Sequence, residues 1–154
     1  EAALGTADRL LLDHIVVNQP VYNMFDRYIE KEIIPLGECK GIGQVVYSPL
    51  AQGLLTGKYT SASDLPENSR AAKLGWDEGK INADKIGKVR QLIEVADKLD
   101  LKVGQLALAW ILRQTNVSSA LVGASRPEQV KENAAASGVK LDSSIIEEIE
   151  QILS

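Results

Sequence analysis

The stretch Val117-Ser118-Ser119-Ala120-Leu121-Val122-Gly123-Ala124-Ser125-Arg126-Pro127-Glu128-Gln129 holds the unit from which the fold is read. Residues 117–122, β-branched at both ends, read as a short strand. Gly123 and Ala124 are small and turn the chain. Ser125 with Glu128 fits a capping box, and Pro127 suits the first turn of a helix that carries Val130 and Ala134. A strand passing at once into a helix is a βα unit, and the same rhythm occurs twice upstream. Residues 14–17 are a short, largely β-branched run ended by Asn18, Gln19 and Pro20. Residues 43–47 are another, centred on Val45 and Val46 and ended by Ser48 and Pro49.

The intervening segments read as helices. Residues 1–12 carry Ala3, Leu4, Ala7, Leu10 and Leu11 at helical spacing. Asp26 is the expected N-cap of a helix through Ile29, Ile33 and Leu36, with Pro35 interrupting it and Gly41 closing it. Asp84 is the expected cap of a helix over 85–99, whose Val89, Leu92, Ile93, Ala96 and Leu99 make an apolar stripe. Residues 105–113 are more uniformly apolar and should form the most buried helix, and 143–153 a final amphipathic one. The segment 53–80 is rich in Gly, Ser, Asp, Asn and Lys and has no period, which marks a functional lid or a disordered insert. Alternating strands and helices imply an α/β fold with a parallel sheet, either doubly wound or part of a (β/α) barrel. Three strands are too few to close a barrel of that kind, which needs eight.

Composition narrows the function classes. A chain of 154 residues makes one domain, and 45% apolar with 25% charged residues is the make-up of a packed protein. A net charge of -4 argues against nucleic acid, since neutralising phosphates takes a basic surface. Cys39 is the one cysteine, so no internal disulfide can form and a reduced, cytoplasmic setting is expected. One Cys and one His cannot make the usual zinc signatures. The longest apolar run, 106–112, is too short for a bilayer, and residues 1–12 do not resemble a signal peptide. The chain starts at Glu1 rather than Met, as a processed, trimmed or partial product would.

In parallel α/β folds, ligands bind beyond the carboxyl ends of the strands. Three polar clusters fall there: Asn18-Gln19-Pro20, Tyr47-Ser48-Pro49 and Gly123-Ala124-Ser125-Arg126. The third reads most sharply. Small residues let a ligand approach the backbone, the helix start favours an anion, and Arg126 adds a cation with donors suited to phosphate. Gln129 and Asn133 share one face of that helix and Glu132 lies beside it, so the group can hold a phosphorylated sugar and an adenine amino group. An ordinary capped helix with a surface arginine fits the same residues. Tyr47 can stack on a flat ring or pack on its neighbours. Gln19 can pair with an amide or satisfy loop backbone. Lys58 and Arg70 can close over a pyrophosphate or be solvated loop charges. His14 sits at the opposite end of its strand and reads as structural, and Cys39 has no base partner. No Walker A or G-x-G-x-x-G pattern occurs, and no nucleophile or acid–base set stands out.

These clusters together carry a resemblance. Val17-Asn18-Gln19-Pro20-Val21-Tyr22-Asn23, the run from Tyr47-Ser48-Pro49-Leu50 through Gly53 to Gly57-Lys58-Tyr59, Leu106-Ala107-Leu108-Ala109-Trp110, and Val122-Gly123-Ala124-Ser125-Arg126-Pro127-Glu128-Gln129 with Glu132-Asn133 resemble the aldo-keto reductases, in the branch that includes potassium-channel β subunits. The resemblance spans essentially the whole chain and implies roughly the last three βα units, with extra helices, of a (β/α)8 TIM barrel that binds NADP(H) and reduces aldehydes and ketones. It implies that Gln19 contacts the nicotinamide carboxamide and Tyr47 stacks on the ring. Ser48, Pro49, Leu50 and Gly53 would follow the pyrophosphate, with Lys58 and Arg70 closing over it and 53–84 covering the cofactor. Gly123, Ser125, Arg126 and Gln129 would hold the 2′-phosphate ribose, and Glu132 and Asn133 the adenine. The family's catalytic Asp, Tyr, Lys and His belong to the first half of the barrel and have no match here. The resemblance therefore implies a cofactor-binding part that alone is inactive, meets a small carbonyl substrate only with that other half, and is prone to self-association. A non-catalytic redox-sensing or regulatory module is the alternative it leaves open.

Overall fold

The structure, a computed structural model, describes residues 1–61, 72 and 81–154. β1 (Val17–Asn18), β2 (Gly43–Tyr47) and β3 (Val117–Leu121) form one parallel sheet in the order β1-β2-β3. Helix α1 (Ala2–Leu10) precedes β1, and a 3-10 turn (Tyr28–Glu30) and α2 (Ile33–Lys40) join β1 to β2. A second 3-10 stretch (Ala51–Thr56), α3 (Ala83–Lys98) and α4 (Val103–Leu112) lie between β2 and β3. Helices α5 (Pro127–Ala134) and α6 (Ser143–Leu153) follow. Neighbouring strands of a (β/α) barrel run in sequential order like this, whereas a doubly wound sheet reverses its order at a switch point.

The core lies between the sheet and the helices. Helix α4 is apolar on every side, and Leu106, Ala107, Trp110 and Ile111 are fully buried, as its composition predicts. Helix α3 turns Val89, Leu92, Val95 and Ala96 to it, and α6 contributes Ile149. On β2, Gln44 and Val46 point into this core, while Gly43, Val45 and Tyr47 on the other face are less covered. Both residues of β1 are exposed. Helix α2 crosses the amino end of the sheet so closely that a Cβ on Gly37 would lie 2.7 Å from the Ile42 carbonyl oxygen and from Gln44 Nε2. No described helix is long and apolar enough to cross a membrane.

Several local expectations are corrected. β1 is shorter than the run 14–17 and shifted toward its polar end, because Val17 and Asn18 meet Gly43 and Gln44 while His14 and Ile15 have no ladder partner among the described residues. His14 instead pairs with Asp8 at 2.8 Å in the open. Asp26 caps no helix; its backbone N–H and its carboxylate are both taken by the Asn23 side chain. Pro35 lies in the first turn of α2, where its missing N–H costs nothing, and does not interrupt the helix. Gly41 closes that helix at φ 68°, as expected. Asn82 rather than Asp84 caps α3, its side chain accepting from Lys85 N at 2.9 Å. Gln129 rather than Glu128 reaches back from α5 to the residues before it.

Candidate functional site

The parallel ladder sets the three strand ends side by side. Tyr47 closes β2 and pairs with Leu121 of β3 on one side. On its other side its N–H donates to the Pro20 carbonyl at 3.0 Å, and its own carbonyl accepts from Tyr22 N at 3.3 Å. Gln19, just before Pro20, is exposed, and so are Gly123, Ser125 and Arg126 beyond β3. Tyr47 is 45% exposed, unusual for a large aromatic on the central strand of a sheet. Parallel direction therefore puts Gln19, Tyr47 and the Gly123 turn on one rim.

The backbone after β2 is strained. Ser48, Ala51 and Gln52 have φ values of 53°, 45° and 54°, and Gly53 follows at 104°. Left-handed non-glycine residues are costly and gather where a loop must hold a special shape. At Gly53 the φ of 104° is what favours glycine, and the position a Cβ would take lies 2.8 Å from Lys58 Nζ, the mobile end of a flexible side chain. Lys58 thus lays its ammonium against the backbone at Gly53, 5.0 Å from the centre of the Tyr59 ring. Pro49 is buried, and Leu50 is half-buried against the core. Arg70 and most of 53–84 lie outside the described residues.

Beyond β3, Gln129 Oε1 accepts from Ser125 N at 2.8 Å, Ser125 Oγ at 3.1 Å and Arg126 N at 3.3 Å. Its amide oxygen therefore organises the turn, and its Nε2 donors remain for another group. Arg126, at the N-cap of α5, has no ion-pair partner among the described residues. Glu132 is ion-paired with Lys102, and its carbonyl accepts from Gln105 Nε2 at 3.0 Å. Asn133 is half-buried.

A cleft of about 310 Å³ opens beside this rim, lined by Val21, Phe25 and Leu54, by Tyr47 and Ser48, and by the polar groups of Asn23, Asp26, Gln52 and Lys85. Of the residues anticipated from sequence, Tyr47 and Ser48 line it, while Gln19, Arg126 and Glu132 lie outside it. The residue that sequence reading missed is Asn23. It is fully buried and donates to Ser48 O at 3.1 Å and Asp26 Oδ2 at 2.9 Å, while accepting from the N–H groups of Phe25 and Asp26. It ties the loop after β1 to the loop after β2. Beyond its place at the end of the Val17–Asn23 stretch, its hint in sequence is an Asn amid apolar neighbours, a residue type that bonds local backbone in turns. No cluster of His, Cys, Asp and Glu suited to a metal occurs among the described residues.

Residues 6–154 match the model of the aldo/keto reductase family. The chain belongs to that family. It is 41% identical over 157 residues to a probable voltage-gated potassium channel subunit beta of Arabidopsis thaliana, covering 98% of this chain and 48% of that protein. It is 38% identical to an NADH-specific methylglyoxal reductase of Escherichia coli, covering 88% of this chain and 42% of the relative. Its structure superposes on a glycerol dehydrogenase from Gluconobacter oxydans with a TM-score of 0.80 at 28% identity, over 94% of this chain and 44% of that one. The fold is thus a portion of the aldo/keto reductase barrel, and the chain spans less than half the length of these relatives.

Proposed function

We propose that this chain is the NADP(H)-binding part of an aldo/keto reductase and that it does not complete carbonyl reduction alone. The observation that carries the reading is the exposed Tyr47 ring, held by backbone bonds on both sides at the centre of a rim that also bears Gln19 and Gly123. The residues present suit a phosphorylated dinucleotide. A side-chain-free backbone at Gly53 with an ammonium against it suits a pyrophosphate, and a guanidinium at a helix start with no ion-pair partner among the described residues suits a further phosphate.

Bound nicotinamide supplies hydride to a carbonyl carbon. Tyr47 gives the ring a flat face and keeps water from it, while Gln19 holds the carboxamide. Ser48, Pro49, Leu50 and Gly53 follow the pyrophosphate, neutralised by Lys58. Gly123, Ser125, Arg126 and the Nε2 of Gln129 hold the ribose phosphate. Glu132 keeps one carboxylate oxygen for an adenine amino group while Lys102 holds the other, and Asn133 adds to that contact. No tyrosine here is placed by resemblance to protonate the product oxygen, so a small aldehyde or ketone is turned over only with the rest of the barrel. The likeness to a channel β subunit favours a second reading, a redox-sensing module whose output is cofactor occupancy rather than turnover.

Titration with NADPH, followed by nicotinamide fluorescence, tests the first claim. Binding is expected to weaken about 10- to 100-fold in Arg126→Met, the range for loss of charged hydrogen bonds, with little effect on NADH. Absence of NADPH binding sinks the cofactor reading. Steady aldehyde reduction by the chain alone sinks the claim of inactivity.

A further inference from the structure

The loop after β1 is gripped from the far end of the chain. Tyr22 is fully buried, with its ring 5.5 Å from that of Trp110, and its hydroxyl donates to Glu30 Oε1 at 2.7 Å. Arg27 donates to both oxygens of Glu30 at 2.8 to 3.1 Å and reaches on to Oε2 of Glu150 in α6, 123 positions away in sequence. Glu150 Oε1 also accepts from the Trp110 indole N–H at 3.2 Å and from Arg113 at 3.5 Å. Both guanidinium groups lie over the Trp110 ring, Arg113 at 3.8 Å and Arg27 at 5.0 Å from its centre. Two arginines and two glutamates close the network without net charge. Burial works against the Arg27 cation, yet its bonds to the Glu30 and Glu150 carboxylates outweigh it and raise its pKa.

The other end of this network is the rim. Pro20 and Tyr22, on either side of Val21, make the two backbone bonds that hold Tyr47. We propose that α6 is a positioning element of the site: Glu150, acting through Arg27, Glu30 and Tyr22, fixes the loop after β1 and with it the backbone of Tyr47. The cofactor consequence rests on reading Tyr47 as the nicotinamide face; the mechanical linkage does not. The Glu150 side chain is 34% exposed, so its arginine partners can rehydrate when the carboxylate is lost. The damage then falls on the anchored loop rather than on the whole fold.

Hydrogen exchange on the full chain tests this in Glu150→Gln, with NADPH affinity measured on the same sample. The amides of Tyr22 and Tyr47 are expected to exchange about tenfold faster, while those of Leu92 and Val95 in α3 keep their wild-type rates. NADPH binding is expected to weaken about tenfold alongside. Unchanged Tyr22 and Tyr47 amides, or an equal acceleration in α3, overturn the proposal. If Glu150→Gln does not fold, Tyr22→Phe, which removes one hydroxyl, is read by the same criterion. Selective acceleration in a chain whose wild type binds no NADPH upholds the linkage and overturns the cofactor reading.

Discussion

The layer formed by α3, α4 and α6 and the two edges of the sheet treat apolar side chains in opposite ways. Behind the sheet, Leu92, Leu106, Trp110, Ile111 and Ile149 lose all contact with solvent. In the chain leading into β1 and in β1 itself, Leu11 is 94% and Val16 70% exposed, and Leu10, Leu12, Ile15 and Val17 are exposed too, while Leu121 is open at the β3 edge. A parallel strand is ordinarily covered on both faces. Here the outer face is complete and the inner face and edges are not, as in a barrel opened along two seams. Local packing of helices on one sheet face can thus be finished while the sheet itself is not.

The sharpest way to break this contrast is Trp110→Ala. Removing a fully buried indole is expected to cost about 3–5 kcal/mol. Chemical denaturation measures it, and a loss below about 1 kcal/mol would place Trp110 outside the core. A smaller effect sharpens the same region. Burial first, then the bond to Glu30, pushes the Tyr22 pKa up from 10.0 to about 12. The folded state holds this proton more tightly than the unfolded one. The contribution is therefore full below pH 10 and lost as pH rises through 12. Tyr22→Phe should flatten the stability profile across that window, and an unchanged alkaline slope would assign it to other groups. The smallest effect on stability is expected at the edge. Val16→Lys with Val17→Lys should change stability by no more than about 0.5 kcal/mol. The same pair should suppress the self-association that open apolar edges favour, as read by sedimentation velocity. A large loss of stability, or no change in association state, would mean that the β1 edge is not a free seam.

Much of this was legible in sequence wherever the signal was local. β2 falls where its paired valines mark a strand, α6 follows its hydrophobic period to the residue, and the Gly41 stop needed only its own backbone freedom. The failures are contests between neighbours. Asp26 is a good cap by type, but Asn23 captured it first. The run 14–17 has strand composition, but a strand exists only where β2 offers partners, so pairing moved it toward Asn18. In the site, residue types at strand ends were readable, while their supports were not. Asn23, Gln44 and Glu150 act across long sequence separations, and no periodicity encodes such a contact. The same holds for Lys102, whose pairing with Glu132 depends on how α4 meets α5.

The excursion between β2 and β3 has a kinetic consequence. About 70 residues separate Tyr47 from Val117, whereas α3 and α4 are joined by a short turn. Docking of the two helices closes a small loop and can proceed early. Zipping β3 onto β2 must wait for a far larger one, so the rim that bears Tyr47 is completed late, and the central strand's free edge stays available to other chains in the meantime.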